Sequence, residues 1–311
     1  MASIPPLQSL TSRAIDEACA RVLKDDRPRS VTLRCSGIGE SCERKLWYGL
    51  RWAHPEEDFP PRVRRIFANG NDREERLVAW LNAAGITVRD QQARVVLADG
   101  ALTGSIDGIA ENVPEAPKTP HLLEIKTMNA SRYDAWRRKG VQATNQKYYA
   151  QMQAYMSGLG LHRALFLVEN QDTREIECQR VELDGRYALT IEAKAARIYH
   201  SETPPPRLSD DPNWFECRSC PAKGVCHEQA WPARNCRTCY CASHITAEPF
   251  HCGRTNAVLS PADQAAGCGG HLFFPSLVHG EIESSSLTSG TITYRMADGS
   301  AFTDGDQHEH A

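Results

Sequence analysis

Apolar residues recur with a helical period near the start of the chain and later switch to alternation. Ile15, Cys19, Val22 and Leu23 fall at i, i+4, i+7 and i+8, which predicts a helix over about Ser9 to Leu23. A second helix is predicted from about Pro61 to Ala84, with Gly70 as its weak point. Ile86–Arg89, Ala93–Ala98 and Ala101–Ala110 read as strands, and Asp99-Gly100 as the hairpin turn between the last two. A loop rich in Pro and Glu (residues 112–120) leads to a strand at His121–Thr127. A helix at about Asn145–Leu159 follows, then strands at Ala164–Glu169 and Glu175–Leu183. The alanine-rich helix Gly185–Ser201 is ended by Thr203-Pro204-Pro205-Pro206, because proline removes a donor and fixes φ. Beyond it the composition shifts to Cys, Gly, Pro and Trp, and from about Gly280 to Ser, Thr and Gly. Ile292–Arg295 and Ser300–Thr303 are set to pair around Asp298-Gly299. No internal repeat is visible. The order of elements suggests an α/β or α+β core with a mixed sheet, whose strand order is not readable from the pattern.

At 311 residues the chain can build one sizeable core and a small appended module. No apolar run approaches the length of a membrane span and the N-terminus lacks a signal-peptide pattern, so a soluble protein of the cytoplasm is expected. The formal net charge of −3 does not announce a nucleic-acid binder, so any such contact must come from a local patch. Arg62, Arg64 and Arg65 form one basic run, and Arg132, Arg137, Arg138 and Lys139 another; both also read as ordinary solvated surface. The 12 cysteines are unevenly spread. Only Cys19, Cys35, Cys42 and Cys178 lie in the first two-thirds, and the rest crowd together at spacings that suggest metal ligation rather than a disulfide framework. Cys19 reads as a core thiol on its helix, and Cys178, beside Ile176 on a strand, as merely packed or exposed.

Two strands carry buried-looking charge. In Leu102-Thr103-Gly104-Ser105-Ile106-Asp107-Gly108 an acid ends an apolar run beside glycines. In Leu122-Leu123-Glu124-Ile125-Lys126-Thr127, Glu124 and Lys126 share one strand face. Burying such groups costs several kcal/mol unless they are paired or metal-bound. Phosphodiester hydrolysis is the chemistry that uses this set. Asp107 and Glu124 offer hard oxygen ligands for Mg²⁺ or Mn²⁺, with the Ile125 carbonyl as a further one. Lys126 orients the attacking water and offsets charge on the phosphate. A structural Glu–Lys pair is the alternative for E-x-K alone. Glu74, in Gly70-Asn71-Asp72-Arg73-Glu74, lies three residues before Leu77 and so near the buried face of its helix, whereas Glu75 points to water. Gln151 and Tyr155 share a helix face at i, i+4.

The series G-x-x-x-E, G-S-I-D-G, E-I-K and Q-x-x-x-Y, in that order across roughly residues 40–230, resembles the RecB-type PD-(D/E)XK nucleases. It looks closest to phage exonucleases and CRISPR-adaptation nucleases. The resemblance implies a metal site of Glu74, Asp107 and Glu124, a catalytic Lys126, and Gln151 and Tyr155 contacting DNA or organising the site. Many relatives carry histidine where Glu74 stands.

Cys217-Arg-Ser-Cys220-Pro-Ala-Lys-Gly-Val-Cys226 supplies three thiolates that can wrap one centre. Cys42 opens Cys42-Glu43-Arg44-Lys45-Leu46-Trp47-Tyr48, which resembles the remote first cysteine of the iron–sulfur members of that family. The resemblance implies a [4Fe–4S] cluster tying together the ends of the core. Four-cysteine zinc is the alternative that spacing does not separate from it, and Cys35 the alternative fourth ligand. Farther on, Cys236-Arg-Thr-Cys239 is a C-x2-C knuckle, and Cys252 and Cys268 complete the most economical Zn²⁺ set, with Cys241, His251 and His271 as substitutes. This segment resembles the zinc-binding tails of some phage nucleases. His308 and His310 carry no inferred role.

The expectation is therefore an α/β protein with a PD-(D/E)XK restriction-endonuclease-like core, a mixed central sheet flanked by helices. Residues 1–230 form the nuclease domain with its iron–sulfur clamp, 231–280 a zinc-ribbon-like module, and 281–311 a tail. The expected function is metal-dependent DNA hydrolysis, which the resemblance implies is exonucleolytic, in recombination, repair or phage DNA processing, with DNA ends as substrate and a recombination or helicase protein as partner. The alternatives are a catalytically silent DNA-binding scaffold and an Fe–S redox protein.

Overall fold

The computed structural model describes residues 9–24, 28–246, 249–286 and 289–305; His308 and His310 lie outside them. The first elements are α1 (Leu10–Val22), β1 (Leu33–Arg34), α2 (Glu43–Leu50) and α3 (Pro61–Ala83), followed by β2 (Thr87–Arg89), β3 (Arg94–Leu97), β4 (Leu102–Ser105), β5 (Gly108–Glu111) and β6 (His121–Met128). Next come α4 (Ala130–Thr144), α5 (Gln146–Leu159), β7 (Arg163–Asn170), β8 (Ile176–Glu182) and α6 (Gly185–His200). The cysteine-rich part holds three short helices, α7 (Phe215–Arg218), α8 (Lys223–His227) and α9 (Pro261–Ala266), and the chain closes with β9 (Gly280–Ser286), β10 (Thr291–Met296) and β11 (Ala301–Asp304).

The central sheet has the order β2-β5-β6-β7-β8. Only β6 and β7 are parallel, with α4 and α5 as their crossover; the other neighbours run antiparallel. The protein is thus a mixed α/β fold with a mixed sheet. One sheet face, with Leu123, Ile125, Leu165 and Leu167, packs on Leu77, Val78 and Leu81 of α3. The other face, with Leu122, Phe166 and Val168, joins a larger core with Trp136 of α4 and Met152 and Met156 of α5. α5 is buried from Tyr149 through Met156, as a helix enclosed by sheet and helices must be. Asn145 caps its start, and Gly160, at φ 64°, ends it in the left-handed conformation that glycine favours.

Three expectations change. Residues 101–110 are two strands, not one: β4 pairs with β1 and β3 in a separate small sheet, and β5 enters the central sheet. The crossing point at Ile106 is held by Ile106 N–H to the Ala93 carbonyl (3.1 Å) and Gln92 N–H to the Ile106 carbonyl (2.9 Å). α3 runs through Gly70 unbroken, because Pro61 starts the helix and its C-terminal turns are anchored in the core. α2 and α4 are helices that the apolar pattern did not disclose. The exposed basic run Arg132, Arg137, Arg138 and Lys139 lies on α4. The tail hairpin of β10 and β11 forms as expected, with β9 as a third strand.

The segment after Pro206 does not stand apart from the core. Ile245, Phe250 and Leu277 belong to the same apolar cluster as Trp47, Leu50 and Ala53. Arg237, buried between Cys236 and Cys239, donates to the Leu50 carbonyl (2.7 Å) and the Val31 carbonyl (3.0 Å), and Asn235 donates to the Trp52 carbonyl (3.0 Å). No helix among the described residues is long and apolar enough to cross a membrane.

Candidate active site

The strand switch at Ile106 leaves Asp107 at the head of β5, beside the middle of β6. Its Oδ2 accepts the Ile125 N–H at 2.7 Å. Next to it, Gly108 lets the start of β5 lie close against β2, since a Cβ there would sit 2.7 Å from Val88 Cγ1. On β6, Glu124 and Lys126 project to the same side, and Lys126 Nζ lies 2.5 Å from Glu124 Oε1. Lys126 Nζ also donates to the Ile125 carbonyl (3.1 Å) and sits 5.4 Å from the centre of the Tyr148 ring.

Glu124 is wholly buried, yet neither carboxylate oxygen receives a hydrogen bond of good geometry; among the described residues its only ion-pair partner is Lys126. Burial, with Asp107 and Glu74 nearby, raises the Glu124 pKa against the pull of Lys126. Burial opposes the Lys126 charge too, but Glu124 and Asp107 outweigh it and hold the ammonium protonated. Glu74 reaches in from α3, its pKa raised by burial and by Asp107. Its Oε1 accepts from Gln92 Nε2 at 3.0 Å.

From α5, Tyr155 donates its hydroxyl proton to the Ser105 carbonyl at 2.8 Å, on the turn that carries Asp107. Burial first, then Cys35, Glu124 and Asp107, push its pKa far up, and Gln151, itself buried, hydrogen-bonds to it. Gly104 makes room for this ring: a Cβ there would overlap the Tyr155 hydroxyl and stand 2.9 Å from its Cε1. Gly104→Ala is therefore expected to displace Tyr155 and destabilise the protein by about 1–3 kcal/mol, as overpacking does; a denaturant melt indistinguishable from wild type would show that the ring gives way freely.

All six side chains singled out in the sequence (Glu74, Asp107, Glu124, Lys126, Gln151 and Tyr155) thus gather around the middle of β6. Sequence reasoning missed Gln92, which holds Glu74, and Tyr148, which flanks Lys126. Both are brought in by tertiary folding and carry no local signal. One long cleft opens onto this place, and Glu74, Ile125, Lys126, Thr127 and Tyr148 line it.

The cysteines fall into two groups. Cys42, the N-cap of α2, lines one small cavity together with Cys217, Cys220 and Cys226. Lys45 and Arg207 line it too, and Arg207 also donates to the Cys226 carbonyl (2.6 Å). Burial and the Cys42 and Cys226 thiols raise the pKa of Cys217. Cys35 is elsewhere, sealed in the core, where burial pushes its thiol up to about 12. In the second group, burial and the thiols of Cys239, Cys268 and Cys252 push Cys236 up to about 11. Cys252 is opposed by burial, but hydrogen bonds from Thr255 and Arg254 lower its pKa overall. Cys241 joins this group by accepting from Arg254 Nε at 3.1 Å. His271 is less available, since its two ring nitrogens face Thr238 (3.2 Å) and Arg234 (3.4 Å). Among the described residues, no three His, Cys, Asp or Glu side chains close on a single point tightly enough to hold an ion as they stand.

No family model matches the chain, and no curated protein matches it. Among solved structures, it is similar to an alkaline exonuclease (LHK-Exo) from Laribacter hongkongensis, at 17% identity over 58% of this chain and 90% of that one, with a TM-score of 0.42. The same exonuclease in complex with dAMP matches at 17% identity over 55% of this chain and 87% of that one, with a TM-score of 0.42. A phage-related exonuclease from Haemophilus somnus 129PT matches at 15% identity over 54% of this chain and 93% of that one, with a TM-score of 0.40. These likenesses are distant.

Proposed function

We propose that the protein is a divalent-metal-dependent DNA nuclease of the RecB-like PD-(D/E)XK type, acting on DNA ends as an exonuclease. The observation that carries the reading is the convergence of three carboxylates and a lysine beside one cleft, with buried Glu124 Oε2 lacking any hydrogen-bond donor and Oε1 meeting only the Lys126 ammonium. A buried carboxylate with one oxygen unpartnered is costly, and a hard divalent cation reduces that cost. Asp107, Glu124, Glu74 and the Ile125 carbonyl are the oxygen donors that would hold Mg²⁺ or Mn²⁺. Such an ion supplies Lewis acidity and a bound water of lowered pKa. Lys126, kept protonated by its acidic neighbours, places a positive charge where the phosphate gains negative charge. Tyr155 and Gln151 fix the turn that aims Asp107, and Gln92 steadies Glu74.

Under the same reading, Cys42, Cys217, Cys220 and Cys226 hold a [4Fe–4S] cluster. Four thiols around one cavity with Lys45 and Arg207 suit a group that needs thiolates, and its part is structural. Cys236, Cys239, Cys252 and Cys268 hold Zn²⁺, in a module over residues 231–280 that follows the nuclease domain of residues 1–230. A recombination or helicase protein is the partner this activity calls for.

Mn²⁺ titrated into protein lacking divalent cations tests the oxygen site directly. Its free-ion EPR signal is expected to disappear on binding, and Asp107→Asn combined with Glu124→Gln is expected to weaken binding by about a hundredfold or more. The thiolate groups do not confuse this result, since they select softer metals. Equal Mn²⁺ binding by wild type and variant would place the cation elsewhere.

A further inference from the structure

α2 ends in a Schellman turn. Trp52 N–H donates to the Gly49 carbonyl (3.1 Å) and Ala53 N–H to the Tyr48 carbonyl (3.0 Å), so Trp52 takes the position that glycine usually fills. Its φ is 51°, in the left-handed region that strains a bulky side chain. Such strain persists only where surrounding contacts over-determine it, and it gathers at functional sites. Trp52 is buried, and two sets of contacts hold it.

The first set comes from the cysteine-rich segment. Asn235 Nδ2 donates to the Trp52 carbonyl (3.0 Å), Ala233 N–H to the Ala53 carbonyl (2.9 Å) and Arg237 Nε to the Leu50 carbonyl (2.7 Å). The Arg237 guanidinium lies 5.2 Å from the centre of the Trp52 indole and also reaches the Val31 carbonyl (3.0 Å). Asn235 Oδ1 accepts the N–H groups of Arg237 (2.8 Å) and Thr238 (3.2 Å), so both anchors belong to the knuckle that places Cys236 and Cys239. The second set comes from the cleft. Trp52 Nε1 donates to the Ser30 carbonyl (2.9 Å), and the Arg29 guanidinium lies 5.4 Å from the indole centre. Arg29, Ser30, Thr32, Leu33 and Arg34 form one wall of the cleft that holds Lys126 and Glu74. In this wall only β1, two residues long, pairs with a strand. Leu33 N–H donates to the Ala101 carbonyl (2.9 Å) and Cys35 N–H to the Thr103 carbonyl (2.9 Å). So short a ladder does not fix the wall by itself, and its backing is Trp52 and Arg237.

We infer that Arg237 and Trp52 are positioning residues of the cleft: the knuckle of the second cysteine set, closed by Zn²⁺, holds Trp52 in its strained turn, and Trp52 holds the wall of residues 29–34 in its binding shape. The metal module thus acts on substrate affinity from behind the wall. Loss of zinc lowers the affinity and leaves Asp107, Glu124 and Lys126 where they are. This coupling rests on the nuclease reading for its substrate and on zinc at Cys236, Cys239, Cys252 and Cys268.

The test compares two changes, alone and together, in full-length protein carrying Lys126→Ala so that nothing is cut. Cys252→Ser with Cys268→Ser removes the two zinc ligands outside the knuckle. Trp52→Phe keeps an aromatic ring and loses the Nε1 donor. Zinc content, amide hydrogen exchange and oligonucleotide affinity are measured for each. The cysteine variant is expected to lose the zinc and to exchange the Leu33 and Cys35 amides about tenfold faster or more, with β6 and β7 unchanged. Its oligonucleotide affinity should fall about tenfold. Trp52→Phe should keep the zinc and show both effects. The combined variant should bind no more weakly than the cysteine variant, because both changes act through one contact. Additive losses of affinity, or normal exchange at Leu33 and Cys35 in the zinc-free variant, would overturn the coupling. Wild type without zinc at these cysteines would overturn it as well. DNA cleavage by a wild type whose wall does not respond to zinc sinks the coupling alone. The expected exchange pattern in a protein that never cuts DNA leaves the coupling standing and removes the catalytic reading.

Discussion

Lys126→Ala is expected to lower the rate of DNA cleavage by about 10³-fold, the scale of removing a charged group that stabilises the transition state, while oligonucleotide affinity changes little. The same variant should also be less stable, for a reason independent of catalysis. Glu124 is wholly buried and, among the described residues, Lys126 is its only ion-pair partner. Stripping a buried carboxylate of its partner costs about 3–5 kcal/mol. Glu124→Gln in the Lys126→Ala background should recover part of that loss, since a neutral amide needs no counter-ion. Mn²⁺ should raise the melting temperature of Lys126→Ala more than that of wild type, by giving Glu124 another cation. A purely structural ion pair would show the stability pattern without the loss of cleavage. A catalytic lysine in the arrangement described shows both.

The second large effect is expected at the cavity of Cys42, Cys217, Cys220 and Cys226. α7 has four residues and α8 has five, far fewer than an isolated helix needs to persist. They are held by Ala222, Val225 and Cys226 in the main core and by contacts such as that of Arg207 with the Cys226 carbonyl and a side-chain hydrogen bond from Ser41 to Glu216. A metal centre that joins Cys42 to Cys217 closes a loop far longer than a hundred residues, and on the chain-entropy account such a closure is worth about 4–5 kcal/mol. On the proposed reading, wild-type protein purified without oxygen should carry iron and a brown absorbance, and Cys217→Ser should lose both and melt about 10 °C lower. Cys178→Ser, on exposed β8, should change neither. Zinc in place of iron in the wild type would keep the melting effect and remove the colour. Unchanged metal content and melting in Cys217→Ser would contradict a centre at this cavity.

Much of this architecture follows from periodicity. α5 and α6 and strands β6 and β7 announce themselves because their buried faces are long, whereas α3 is buried only at Leu77, Val78 and Leu81 and β8 only at Val181. α4 does not, since only Tyr133, Trp136 and Val141 are buried along it, and Gly140, at φ 76°, interrupts its dihedrals. It is held from outside, by Gln179 accepting from Trp136 Nε1 (2.8 Å) and Val141 N–H (3.0 Å). The split of residues 101–110 is also invisible locally, because a strand's partners are set by the whole fold. The pairing of Glu124 with Lys126 was readable from strand alternation, and that of Gln151 with Tyr155 from the helical period. That Tyr155 bonds to the Ser105 carbonyl, and that Gln92 holds Glu74, depends on segments that meet only after folding.

The most direct measurement incubates anaerobically purified wild type and Lys126→Ala with single- and double-stranded DNA labelled at either end, with Mn²⁺ or with EDTA. The account predicts Mn²⁺-dependent release of label by wild type, abolished by EDTA and by the substitution. A correctly metallated wild type that binds these strands and never cuts them would contradict it.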